Sequence, residues 1–212
     1  MQSRRGFLRG IAATGLSRLM FPAALTFGAV GIPAFAHAQE TDYAADPSRP
    51  GSRLDALTAF IDPTLEIHNP HTDERVKVRF FNGYGYDMSG IQQLNHIWRD
   101  WRQDVAPQID PRLFWGMAAI RTSAMKDGHD GVITLLSGYR TLTTTRLLRS
   151  QGVGASLGSE HMKAAAMDIT LHDIPASKIS GFAEWLQVGG TGYYPRNNFT
   201  HIDTGRVRQW RG

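Results

Sequence analysis

The residues able to do chemistry gather in two short stretches. The first, Gly158-Ser159-Glu160-His161-Met162-Lys163-Ala164-Ala165-Ala166-Met167-Asp168-Ile169, offers a histidine and, seven residues later, an aspartate. The second, Phe199-Thr200-His201-Ile202-Asp203-Thr204-Gly205, lies near the C-terminus and adds another histidine. Two His and one Asp are the ligand set of a zinc site whose fourth position is left for water, the pattern of a catalytic zinc and not of a structural one. His161, Asp168 and His201 are therefore the candidate metal ligands.

The spacing has a physical logic. Ala164 to Leu171 is small and apolar, with Asp168 as its one charge, and reads as a buried strand. A carboxylate inside such a strand is costly to bury without a partner cation or metal. His161 lies upstream in a polar Gly/Ser loop that can fold back over the strand end, and His201 sits in a second strand-like run, Phe199 to Ile202. Two neighbouring strands and one loop suffice to bring three side chains to within about 2.0–2.2 Å of one ion. A His–Asp pair alone is more often a hydrogen-bonded pair than a metal site; here a third ligand accompanies it.

The surrounding elements follow from periodicity and punctuation. Thr64–Ile67 and Val76–Phe80 alternate and predict paired strands, with His68 to Glu74 as the turn between them. That position makes His68 and His71 solvated surface histidines. Ser89 predicts a helix cap, with Ile91, Leu94, Trp98 and Trp101 on one face and His96 off it. Asp110-Pro111 starts the next helix, which buries Leu113, Phe114, Met117, Ile120 and Ala124. Val132–Leu136 is a strand that ends at Ser137-Gly138-Tyr139-Arg140-Thr141, so Arg140 stands at a strand end. A polar helix over 142–151, a glycine-bearing loop that delivers His161, and a helix over Pro175–Leu186 complete the pattern. That last helix turns Ile179, Phe182, Trp185 and Leu186 inward, and Gly189 to Tyr194 leads to the final strand with His201.

Composition narrows the function. The 212 residues suit one domain plus extras, and the absence of cysteine excludes disulfides, thiol chemistry and Cys-bound zinc. The net charge of +4 is a property of the N-terminus. Residues 1–38 hold Arg4, Arg5, Arg9 and Arg18 and no acid; setting these aside leaves 19 basic residues against 19 acidic ones. The basic pI therefore gives no argument for nucleic-acid binding. Ser3-Arg4-Arg5-Gly6-Phe7-Leu8, the Ala- and Gly-rich stretch to Ala36, and Ala36-His37-Ala38 together resemble a twin-arginine (Tat) export signal with cleavage before Gln39. Pro22, Gly28, Gly31 and Pro33 interrupt the run, which argues against a membrane span. The expected organisation is a signal over 1–38, a linker over 39–53 and a catalytic domain over 54–212, acting in the periplasm.

Ser137-Gly138-Tyr139-Arg140-Thr141, His161 through Asp168, and His201-Ile202-Asp203-Thr204-Gly205 together resemble the YcbK-like zinc peptidases of the D-Ala-D-Ala carboxypeptidase and hedgehog-like metallopeptidase superfamily. His68 to Thr72, and Arg99-Asp100-Trp101-Arg102 through Pro111, extend the likeness. The resemblance implies an α+β fold with a small central antiparallel sheet and flanking helices. It also implies zinc held by His161, Asp168 and His201, and hydrolysis of peptidoglycan cross-link peptides by an endopeptidase or carboxypeptidase. The chain departs from the family at Ala164, where glycine is usual, and at Thr144 or Thr145, where asparagine is usual.

Relatives often place the general base just before the third ligand, but Asn198, Phe199 and Thr200 cannot serve. Asp203 is the nearest carboxylate, on the same face as His201 by strand alternation. It is either the base or a group that orients His201; Glu160 is a more distant candidate. Arg140 offers a planar donor fork to a substrate carboxylate or an oxyanion, or else a structural ion pair. The competing expectation is a non-catalytic module that keeps the fold and binds peptidoglycan without cutting it. Which bond is cut and the oligomeric state are open at this point.

Overall fold

The computed structural model describes residues 52–212. The expected export signal, and the linker up to Gly51, lie outside the described residues. The elements are α1 (Arg53–Leu57), β1 (Thr64–Asn69), β2 (Glu74–Arg79), α2 (Met88–Ile97), α3 (Pro111–Lys126), β3 (Ile133–Ser137), α4 (Leu142–Ser150), β4 (Ala166–Leu171), α5 (Ala176–Leu186), β5 (Gly190–Tyr194), β6 (Phe199–Asp203) and β7 (Arg208–Arg211). A 3-10 turn over Glu160–Lys163 precedes β4. Among the described residues no helix is long and apolar enough to cross a membrane.

α3 begins where its sequence requires. The Asp110 carboxylate accepts from the Arg112 N–H and Pro111 occupies the first turn, where its missing N–H costs nothing. Leu113, Phe114, Met117, Ala118, Ile120 and Ala124 are all buried, so the helix is covered nearly all round. It lies among α1, α5 and β1 as the centre of the apolar core. Even its Arg112 is buried; the guanidinium holds Asp55 at 2.6 Å, Ser52 Oγ at 2.8 Å and the Val188 carbonyl at 3.1 Å. Ser52 also caps α1, so the last two residues of the expected linker already belong to the folded unit.

The seven strands form one sheet in the order β2-β1-β3-β4-β6-β5-β7. The expected antiparallel sheet holds at the centre, where β3, β4, β6 and β5 pair in opposite directions. The sheet as a whole is mixed, because β1 runs parallel to β3 and β5 parallel to β7. The β1 to β3 crossover carries α2 and α3, as a parallel pair demands. β5 and β7 had no clear strand signal: one is glycine-rich, the other arginine-rich. Other expectations shift by a few residues. Asp87, not Ser89, caps α2, and Trp101 lies beyond its end. Trp185 is only half-buried, stacked on Phe182 and carrying Arg53 over its ring.

Two irregularities aim the chemistry. The pairing of β3 with β4 shifts between Leu135 and Ser137, a bulge that turns the chain just before Gly138 and Arg140. Gly138 then packs so tightly on Trp98 that a Cβ would run into the Trp98 carbonyl. On the other side, Ala164 closes the 3-10 turn in the left-handed region, at φ 57° and ψ 31°. This is the position where the family resemblance leads one to expect glycine. Its carbonyl accepts from the Asp110 N–H, tying the turn to the start of α3.

Two tests follow. A left-handed alanine costs about 1–2 kcal/mol, whereas glycine loses the buried methyl at about 0.8 kcal/mol and about 0.4–1 kcal/mol of unfolded-state entropy. Ala164→Gly should therefore stay within about 0.5 kcal/mol of the parent by chemical denaturation, while Ala183→Gly at a buried, ordinary helical position in α5 should cost about 1.5–2 kcal/mol. The second test concerns Glu74, which ties the β1–β2 hairpin to the end of α2. Arg99 donates to it at 2.8 and 3.2 Å, and with Thr72 and His96 holds it down at about 2 from 4.5 against burial. Its contribution is complete above the ordinary value and fades as pH falls from 4.5 toward 2. Urea unfolding followed across that window should show a steeper acid loss in the parent than in Glu74→Gln.

Candidate metal centre

Asp168 and His201 face each other directly across the β4–β6 ladder, on one side of the sheet. The 3-10 turn swings His161 onto the same point. His201 Nδ1 lies 2.8 Å from Asp168 Oδ1, His161 Nε2 lies 3.3 Å from that same oxygen, and the two nitrogens are 3.2 Å apart. Ligand atoms about 2.0–2.1 Å from a tetrahedral zinc are separated by about 3.3 Å. The triangle thus has the size of one face of a zinc tetrahedron. Among the described residues, these three form the one cluster with metal-ligand geometry.

The far nitrogen of each ring is already committed. His161 Nδ1 donates to the Gly138 carbonyl at 2.6 Å, which leaves Nε2 bare toward the centre. His201 Nε2 faces Asp203 Oδ2 at 3.1 Å, which turns Nδ1 toward Asp168. Such outer partners fix the tautomer and orientation of ligating histidines. Burial depresses the His161 imidazole, which favours the neutral form a metal needs. Burial also opposes the charge of Asp168, but His161 and His201 outweigh it and hold the carboxyl well below the usual carboxylate range. His201 is raised despite burial, because Asp168 and Asp203 both draw on its proton.

Asp203 is fully buried and saturated with donors. Oδ1 accepts from the N–H groups of Gly190 and Gly205 at 2.9 and 2.8 Å and from Arg208 Nη1 at 3.1 Å. Oδ2 takes Arg208 Nη2 at 2.7 Å besides His201. A Cβ at Gly190 would meet that carboxylate and Arg208, so a larger residue there would displace the ion pair. These contacts outweigh burial and hold Asp203 at about 2. Arg208 itself stands over Trp210 at 4.8 Å, and Trp210 lies 5.1 Å from the His201 ring with its Nε1 donating to Tyr194 Oη.

Arg140 borders the centre from β3, with Nη2 3.4 Å from Asp168 Oδ2 and its backbone N–H on the His161 carbonyl. Glu160 pairs with Lys163 at 2.9 Å and lies against Gly205. His68 and His71 stay in the hairpin: His68 pairs with Asp73 and His71 is exposed. His172 is exposed beside Asp173. Sequence reasoning missed the Gly138 carbonyl, Arg208 and Trp210. The run of Arg and Trp just after Asp203 was the available signal for the last two.

Residues 59–210 match the family described as Peptidoglycan L,D-endopeptidase MepK. A curated relative from Escherichia coli (strain K12), named Peptidoglycan L,D-endopeptidase MepK, is 40% identical over 146 residues, which span 69% of this chain and 79% of that one. The Haemophilus influenzae protein named Probable peptidoglycan L,D-endopeptidase MepK is 34% identical over 163 residues, 77% of this chain and 87% of that one. No solved structure matches. The matched region runs from before β1 into β7 and contains the whole His161–Asp168–His201 centre; the chain belongs to the peptidoglycan L,D-endopeptidase MepK family.

Proposed function

We propose that this protein is an exported, zinc-dependent peptidoglycan endopeptidase that hydrolyses an L,D peptide bond of the cross-links. The family membership and the names of its relatives support the reaction and the bond. The observation that carries the metal is the triangle of His161 Nε2, Asp168 Oδ1 and His201 Nδ1, with both outer ring nitrogens held by acceptors. The twin-arginine stretch around Arg4 and Arg5 supports export to the periplasm, where the substrate lies.

His161, Asp168 and His201 would hold the ion. When bound, zinc supplies a water of lowered pKa, near ~7, and a Lewis acid for the scissile carbonyl. The chain's own residues do the rest. Arg140 presents its guanidinium beside Asp168, where a substrate carbonyl or carboxylate can receive its N–H groups. The Gly138 carbonyl keeps the proton of His161 on Nδ1. Asp203 keeps the proton of His201 on Nε2, and its full set of donors favours this positioning role over that of a general base. Trp210 and Tyr194 shield the His201 side from water.

Digestion of purified sacculi by the zinc-loaded protein, followed by chromatography and mass spectrometry, tests the reaction. Cross-linked dimers should fall to monomers with cleavage at the L,D bond, and both chelation and His161→Ala should abolish it. Intact dimers after treatment with metal-loaded protein would overturn the proposal. A separate titration tests the positioning role. Asp203→Asn should weaken zinc binding about 10–100-fold in competition with a chromophoric chelator. An unchanged affinity with lost activity would make Asp203 the base instead.

A further inference from the structure

Beside Arg140 the surface carries a second guanidinium, that of Arg102, which no carboxylate among the described residues neutralises. Asp100 lies buried in the turn after α2. Its carboxylate accepts from the Thr141 N–H and hydroxyl, both at 2.8 Å, and from the Arg102 N–H at 3.1 Å. One buried anion thus ties Arg102 to the residue that follows Arg140. The tie is braced on both sides. Tyr139 N–H donates to the Trp98 carbonyl at 2.8 Å, and Asp100 and Val105 exchange backbone hydrogen bonds that close the turn. The relative positions of Arg102 and Arg140 are therefore set by buried hydrogen bonds, although Arg102 itself is exposed.

The side chain has a partner as well. The Arg102 guanidinium stands 4.2 Å from the centroid of Trp101, which is stacked on His71 at 5.0 Å with the rings 16° apart. His71 is anchored in turn, with Nε2 2.9 Å from the Leu136 carbonyl at the end of β3. A guanidinium over an aromatic ring leaves N–H groups free to donate, and the ring contact narrows the positions it can take. Arg99, three residues earlier, is ion-paired with Glu74 and Asp104. Arg102, among the described residues, has no acidic partner. Its charge also bears unfavourably on Arg140. Arg140 already shares Asp168, whereas the guanidinium of Arg102, on a segment tied to that of Arg140 through Asp100, has no carboxylate partner among the described residues and can attract an anion from solution.

We propose that Arg102, held on Trp101, is a carboxylate-binding subsite of the cleft. It receives a free carboxylate of the cross-linked peptide on the Arg140 side of the metal centre, and makes the enzyme selective for acidic peptides over their amidated forms. This rests on the reading of the centre as a peptidoglycan endopeptidase.

The test uses the zinc-loaded protein and two cross-linked peptide substrates that differ only in whether their free carboxylates are acid or amide. Arg102→Gln should raise KM for the acid substrate about five- to tenfold, with kcat within about twofold, and leave both constants for the amidated substrate unchanged. Arg102→Lys should recover part of the loss. Equal effects of Arg102→Gln on the two substrates, or none on either, would overturn the subsite. If the parent protein cuts neither peptide, the proposed reaction falls, and calorimetric binding of the same two peptides decides the subsite separately. A preference for the acid form that vanishes in Arg102→Gln supports it; equal binding of both forms overturns it.

Discussion

Two carboxylates in the middle of a sheet set the terms for this structure. Asp168 and Asp203 stand on neighbouring strands, and both reach the ring of His201. A buried carboxylate is tolerated only when paired and hydrogen-bonded. Asp203 meets that demand within the chain, through Arg208 and two backbone N–H groups. Asp168 meets it only in part, because Arg140 is 3.4 Å away and the remaining partners are the two histidines. The asymmetry separates the two: Asp203 is neutralised within the chain, while the charge of Asp168 is offset only in part by its neighbours.

The C-terminal strand gains its importance from this arrangement. β7 is short and partly exposed, and by burial alone it would be a dispensable edge. It nevertheless supplies Arg208 to Asp203 and Trp210 to the face of His201. Asp203 is fully buried, so removing Arg208 would leave its charge to two backbone N–H groups and His201 alone. Loss of this strand would therefore be felt at the centre more than in the core, to which β7 contributes no buried residue.

Asp100 plays the corresponding part on the other flank. Its carboxylate joins the turn after α2 to the start of α4, and so sets the segment that carries Arg140. The centre is thus held between two buried aspartates, Asp100 and Asp203, neither of which belongs to the ligand triangle.

Much of this was legible in the residues themselves. Local rules suffice for the Asp110-Pro111 start of α3, for the β1–β2 hairpin and for the strands bearing Asp168 and His201, because caps, prolines and alternation act within a few residues. The ligand types were equally legible, since a lone charge in an apolar strand demands an explanation. β5 and β7 were not. Gly190 to Tyr194 lacks alternation because it must pass close to Asp203, and Arg208 to Arg211 is polar because its partner is a buried carboxylate elsewhere in the chain. The sequence alone determined that His161, Asp168 and His201 are the candidate ligands. Only the tertiary structure decided which nitrogen each histidine presents, which aspartate is neutralised and which cations border the cleft. These depend on hydrogen bonds between residues far apart in the chain, such as His161 with Gly138 and Thr141 with Asp100, and no local pattern encodes them.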